Sequence, residues 1–355
     1  MSTLACEIKT TMDKAAYCFN LSACPKKLRS FFNEVLDSHS DTLNLSDKGI
    51  SKQDIPCILR FLNAYPHITV LDLSNNDIGK QVPNLALNHT LRTLKLNSCC
   101  VRCIGCVALG KNTTLTALEL RDNELEDQDV NALAKSTTLK VLDLSCNLIT
   151  VQGTYALAEN PSIISLDVSY NINIKDQGAE ALLKSNTLIA LNLCQVDVHD
   201  RALQDIATNS TLVNLNISGN FITNTGVLSL IENQSIQILD VSENKRIGEN
   251  AALALIEFSQ SSEKQKLAFL MGMHPSIGIN SAVLTYAKNA LCDQNVLREL
   301  FSFLKPSRGI MSLKHTFPVP AIIFSTPYEA PNSGIWSSAD HDTKDQAENV
   351  KQKLG

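Results

Sequence analysis

The chain has 355 residues, 44% of them apolar and 19% charged, with a formal net charge of −5. That is enough apolar material for one large domain, two ordinary ones or a repeat array, while the sparse and slightly acidic charge gives no reason to expect nucleic acid or an anionic membrane as partner. No apolar run approaches the roughly 20 residues of a membrane span, and the first residues lack the basic-then-apolar order of a signal peptide, so the eleven cysteines are expected as free thiols in a reducing, intracellular compartment.

Residues 1–41 are expected to form an N-terminal cap, with a helix over "KKLRSFFNEVLDS". That stretch, with Pro25, Leu28, Phe31, Phe32 and Leu36, faintly resembles the start of an F-box. An F-box needs about twice the residues that precede Leu43, so a simple cap is the better expectation.

From residue 42 a repeat takes over. "ITVLDLSNNDI", "LRTLKLNSCCV", "LTALELRDNEL", "LKVLDLSCNLI", "IISLDVSYN", "LIALNLCQVDV", "LVNLNISGNFI" and "IQILDVSEN" all fit L-x-x-L-x-L-x-x-N/C. Their second leucine falls at Leu71, Leu94, Leu118, Leu142, Leu166, Leu191, Leu215 and Leu239, in steps of 23 to 25 residues. A weaker first copy lies at Leu43 and Leu45, and a degenerate last one in "LAFLMG" from Leu267. The alternation Leu118-Glu119-Leu120 is that of a short strand. Two further columns, Leu85 to Leu230 and Val82 to Val227, lie three residues apart and mark one face of a short helix in every unit. A unit of this size cannot bury its leucines alone, so neighbours must stack. The expected fold is α/β: a curved solenoid over 42–279, parallel strands on the concave side, helices on the convex side, caps at both ends.

The recurring Asn76, Asn123, Asn147, Asn171, Asn220 and Asn244 should bond backbone groups freed where each strand bends away. Cys99 holds that position in one repeat and Val196 in another, which makes the Val196 repeat a candidate weak point. This frame also reads the cluster Cys99, Cys100, Cys103 and Cys106. Its spacing suggests a metal site, but the register puts Cys99 and Cys106 inside and the other two outside, so no metal and no cofactor is expected. The "NHT", "NTT", "NST" and "NQS" motifs at Asn88, Asn112, Asn209 and Asn233 share one repeat position, where turn chemistry explains them better than glycosylation.

The unit "L-A-x-N-x-T-L-x-x-L-x-L" at Leu109–Leu120 and Leu133–Leu144 resembles the ribonuclease-inhibitor type of leucine-rich repeat. Its shortness resembles the repeats of effectors from intracellular bacterial pathogens. The resemblance spans about residues 42–272 and implies a non-enzymatic protein-binding scaffold, with no catalytic residue carried over. Beyond it, residues 280–305 read as amphipathic capping helices, and 306–355 as a Pro-containing extension ending in a polar tail.

The enzyme reading finds little support: the histidines form no cluster and no phosphate loop occurs. The expected site is the concave column Asp72, Lys95, Glu119, Asp143, Asp167, Asn192, Asn216 and Asp240, with Arg121, Tyr170 and Glu243 beside it. Asp143 and Asp167 are expected to point to solvent, and Tyr170 and Phe221 to sit at the rim. The expected partner is a protein with a basic surface, rather than a nucleic acid, a membrane or a small-molecule substrate. The alternative is an adaptor that recruits ubiquitin machinery through a terminal extension.

Overall fold

A computed structural model of the chain describes residues 19–248, 250–251, 254–255 and 267–269. The expected capping segment 280–305 and the extension 306–355 lie outside the described residues. Among the described residues, ten strands form one open parallel sheet in strictly sequential order. They are β1 Thr42–Asn44, β2 Val70–Asp72, β3 Thr93–Lys95, β4 Ala117–Glu119, β5 Val141–Asp143, β6 Ser165–Asp167, β7 Ala190–Asn192, β8 Asn214–Asn216, β9 Ile238–Asp240 and β10 Leu267–Phe269. Every strand has three residues because the chain pairs only while the leucines alternate, then turns out. The register matches leucine to leucine from Leu43↔Leu71 through Leu215↔Leu239, and Ala268 takes the leucine place opposite Leu239. The strand-and-helix units thus stack into an α/β solenoid built on one parallel sheet.

The return arms carry the helices. α1 is Lys26–Ser38, α2 Ile55–Ala64, α3 Val82–Leu85, α4 Cys103–Gly110, α5 Asp127–Leu133, α6 Val151–Ala158, α7 Lys175–Leu183 and α8 Asn224–Glu232. Both helical columns are buried, including the unusual members Cys106 and Thr154. One repeat departs from the expected helix: Asp200–Leu203 and Ile206–Thr208 are separate 3₁₀ turns. With three residues per turn, 3₁₀ geometry stacks residues three apart, so Leu203 and Ile206 still reach the core.

Two ladders of side-chain amides run through the stack. In the first, Asn147 Nδ2 donates to the Leu120, Leu144 and Ser145 carbonyls at 3.1, 2.9 and 3.1 Å, and its Oδ1 accepts from the Asn123 and Leu125 amides at 3.0 Å each. Asn76, Asn123, Asn171, Asn220 and Asn244 bond in the same way. Val196 is buried at this position without leaving the carbonyls around it unserved. Leu193 O accepts from Asn220 Nδ2, and Cys194 O from the Tyr170 amide, so these two carbonyls are served from neighbouring repeats. Cys99 substitutes differently, its thiol donating to Leu73 O at 3.1 Å.

The second ladder includes the apparent glycosylation motifs at Asn112, Asn209 and Asn233, and Asn160 of an Asn-Pro-Ser turn. Asn112 Oδ1 accepts from the Thr114 and Leu115 amides at 2.8 and 2.7 Å, while its Nδ2 donates across to the Ala86 and Asn88 carbonyls at 2.8 and 3.1 Å. Asn160, Asn209 and Asn233 repeat the pattern. The Thr or Ser two residues on can donate to the previous repeat as well, as Ser235 does to Asn209 O at 3.1 Å and Thr211 to Ser185 O at 3.3 Å. The triplet spacing is thus the turn's own requirement, with the amide spent inside it.

At the N-terminal end, α1 buries Leu28, Phe32 and Val35 and closes the first repeat. The Phe32 ring lies flat on Phe61 of α2, centroids 3.9 Å apart, and Phe19 meets both edge-on. Lys27 Nζ reaches Asp54 at 2.6 Å and Gly49 O at 2.8 Å. Burial pushes the Asp54 carboxyl up, but bonds from Lys27 and Ser51 outweigh it and hold the group below the usual carboxylate range.

Candidate functional site

The last residue of each strand from β1 to β9 faces away from the leucine core, and most of these side chains have a local task. In β2, Asp72 Oδ1 accepts from the Ser74 amide at 2.9 Å; Asp143, Asp167 and Asp240 accept from Ser145, Ser169 and Ser242 in the same way, each at 2.9 Å. Asn192 and Asn216 do so toward Cys194 and Ser218 at 3.0 and 2.9 Å. The Asp of "LDLS" is therefore an Asx turn that satisfies a backbone N–H where the strand breaks off. This corrects the expectation that Asp143 and Asp167 simply point to solvent: both are half-buried. Asn192, expected outward and available, is buried and donates to Asp167 Oδ2 at 2.8 Å.

Lys95 and Glu119 hold the same column without forming the turn. They pair with each other at 2.8 Å, and Glu119 also accepts from Asn97 Nδ2 at 3.0 Å. Their charges cancel, so the acidic character concentrates at Asp143 and Asp167. By area both carboxylates are reachable by water, yet the sheet floor surrounds them with protein. Burial raises Asp143, and it pushes Asp167 up to about 6 with help from the neighbouring Asp143 charge, against the bonds from Ser169 and Asn192. Arg121, half-buried on this face, pulls Asp143 the other way.

A second row follows three residues later. Asp47, Asn75, Ser98, Asp122, Cys146, Tyr170, Gln195, Gly219 and Glu243 all have positive φ, between 52° and 65°. Each of these amides from Asp47 to Gly219 donates to a carbonyl of the next repeat, as Tyr170 does to Cys194 O at 2.9 Å. The left-handed backbone that aims those amides costs a non-glycine residue about 1 kcal/mol, and only Gly219 avoids it. Tyr170 sits here half-buried, its phenol pushed up to about 12 by burial and by Cys194 and Cys146 beside it. Glu243 is exposed.

The position just after the ladder asparagine forms the rim. Leu148, Ile172 and Phe221 occupy it at 52%, 56% and 42% exposure. Phe221 is stacked on His199 at 5.1 Å between centroids, and the Arg246 guanidinium lies 5.6 Å from its ring centre. His199 is held in turn by its amide to Asp176 Oδ1 at 2.6 Å. Sequence reasoning placed Phe221 at the rim and passed over Leu148 and Ile172. The signal was present: "NLI" and "NIN" put an aliphatic side chain where "NDI" and "NEL" put a charge.

The four clustered cysteines separate as their register requires. Cys99 and Cys106 are buried, Cys100 and Cys103 exposed. Burial pushes the Cys99 thiol up to about 11 and holds the Cys106 thiol well above its ordinary value. The expected site residues thus share one face and one edge, but as a structural row of Asx turns beside a more open apolar rim.

Leucine-rich-repeat family models match residues 66–81, 87–110, 113–172 and 208–230. No curated protein matches the sequence. Among solved structures, the chain is similar to a chain of the yeast Rad7 and Elc1 complex, at 14% identity and a TM-score of 0.33, covering 72% of this chain and 82% of that one. It is also similar to a leucine-rich repeat protein from Bacteroides thetaiotaomicron, at 17% identity and a TM-score of 0.40, covering 60% of this chain and 28% of that one. The period, the sheet register and the matched segments agree: this chain carries leucine-rich repeats.

Proposed function

We propose that the protein is a non-enzymatic interaction module that binds a partner protein along the sheet face and its rim. The observation that carries this reading is the rim row, where Leu148, Ile172 and Phe221 hold one repeat position and remain exposed. The repeats need polar or charged residues there for solubility alone, as Asp77 and Glu124 supply. Apolar side chains beside a partly acidic floor suit a partner with apolar anchors flanked by basic residues. The 24-residue unit, resembling that of bacterial effectors, supports an effector role in a reducing compartment, with a host or a bacterial protein as partner.

Affinity capture from host and bacterial lysates identifies the partner, and two variants then test the surface. Asp143→Asn removes charge but keeps the oxygen that accepts from Ser145, as Asn44, Asn192 and Asn216 already do at this position. Phe221→Ala removes the stacked ring. Each variant is expected to weaken binding about tenfold, the equivalent of about 1.4 kcal/mol, while Glu180→Lys on the helical side leaves it unchanged. Unchanged binding in both surface variants, with loss at Glu180, would place the interface on the opposite side.

A further inference from the structure

The cap junction holds two thiols face to face. Cys24 stands just before α1, and Cys57 lies in the first turn of α2. Each is 3% exposed, and their sulfurs are 2.7 Å apart, closer than unbonded sulfurs normally rest. The backbone on both sides is fixed. The Cys24 amide donates to Leu21 O at 3.1 Å, Cys24 O accepts from Arg29 Nε at 2.9 Å, and the Cys57 amide donates to Asp54 O at 3.0 Å. The Lys27–Asp54 ion pair and the Phe32–Phe61 stack hold the same two segments in register. Elsewhere the thiols are dispersed: Cys99 donates to a carbonyl, Cys106 lies in a helical column, and Cys100 and Cys103 face outward. Among the described residues no other two thiols bond to each other.

We propose that Cys24 and Cys57 are the site of a disulfide that ties the N-terminal cap to the first repeat, formed by exchange with a small-molecule disulfide such as oxidised glutathione. The thiolate of one cysteine attacks a glutathione sulfur, breaks that S–S bond and releases one glutathione. The second thiolate attacks the mixed disulfide and releases the other. The two cysteines are oxidised, glutathione disulfide is reduced to two thiols, and the two cysteine protons end on those thiols. Burial and the Cys24 contact push the Cys57 thiol up to about 12, so exchange belongs to the folding chain, before the cap docks. Where glutathione is mostly reduced the pair stays open; where its disulfide is in excess the pair closes.

The test is to refold the full chain from urea in excess oxidised glutathione, alkylate the remaining thiols and map the digest by mass spectrometry. The expected result is a Cys24–Cys57 linked peptide, with Cys99 and Cys106 alkylated. The linked protein should melt about 5 °C or more above the same protein reduced, because the bond restricts the unfolded chain. That difference should vanish in Cys24→Ala and in Cys57→Ala and persist in Cys103→Ala. Alkylation of Cys24 and Cys57 after oxidative refolding would overturn the proposal, as would pairing of either with another cysteine. So would a linked protein that melts with the reduced one. The wild-type peptide map decides even where a variant fails to fold.

Discussion

The N-terminal junction and the middle of the stack solve the same problem with different chemistry. At the junction, contacts occur once: one ring stack, one ion pair, one thiol pair. In the middle, the side-chain amide contacts recur, and each ladder amide reaches across a repeat boundary, so that Asn147 alone links the turns after β4 and β5. A one-sided end must replace a missing neighbour, which favours large rings. An interior repeat has neighbours on both sides and needs only to share with them. Damage at the end should therefore fray locally, while damage inside should divide the stack in two.

The largest expected effect tests the end. Phe32→Ala removes a fully buried ring and should cost about 4 kcal/mol. Hydrogen exchange should show the loss confined to residues 19–64, and equal acceleration at β7 would break the distinction. Next is Asn147→Ala, which takes the acceptor from the buried Asn123 and Leu125 amides, while the Leu120, Leu144 and Ser145 carbonyls keep a second donor; it should cost about 3 kcal/mol. Here exchange should quicken on both sides of residue 147 while α1 stays protected.

Acid should separate the two regions by sign. Asp54 is held below the usual range, so its contribution is present above the unfolded pKa and is lost as pH falls through the folded one. Asp167, raised to about 6, favours the folded state most below the unfolded value near 4, and that contribution is lost as pH rises through about 6. Lowering pH from 7 to 5 should thus stabilise the middle by an amount on the order of 1 kcal/mol, given solvent screening, and leave the cap unchanged. Going from 5 to 3 should loosen the cap. Exchange rates followed by region across this range check both signs. The smallest effect is Val196→Asn, which restores the ladder where neighbours already bridge it. A thermal shift equivalent to less than about 1 kcal/mol is expected; a much larger gain would show that the bridging is poor.

Much of this was legible in the sequence because the leucine period is a packing constraint. Leu94 must oppose Leu118, so the strand register could be read directly, and Cys106 and Thr154 could be assigned to the core against their type. The helix "KKLRSFFNEVLDS" was equally plain from its apolar spacing. The role of Asp143 and Asp167 was not, because an Asx turn and a solvent-facing aspartate leave the same "LDLS". Nor was the Cys24–Cys57 contact, since no period relates a cap to the repeat it covers. The 3₁₀ turns at 200–208 keep the i, i+3 spacing of a helix, so the pattern cannot distinguish them.

The row of positive-φ residues has a metrical consequence. It presents nine positions carrying eight side chains of seven kinds, from Asp47 to Glu243 with Gly219 bare, at a pitch set by the sheet, about 4.8 Å per strand. An extended peptide laid along the row advances about 3.3 Å per residue and falls out of step at once. An α-helix advances about 5.4 Å per turn. The two gratings slip past each other slowly, and eight strand intervals span nearly the same length as seven helical turns, roughly 38 Å. Along that length a helix could set one side chain per turn against almost every repeat, so the backbone that makes each Asx corner close also rules a scale against which a partner's own geometry is measured.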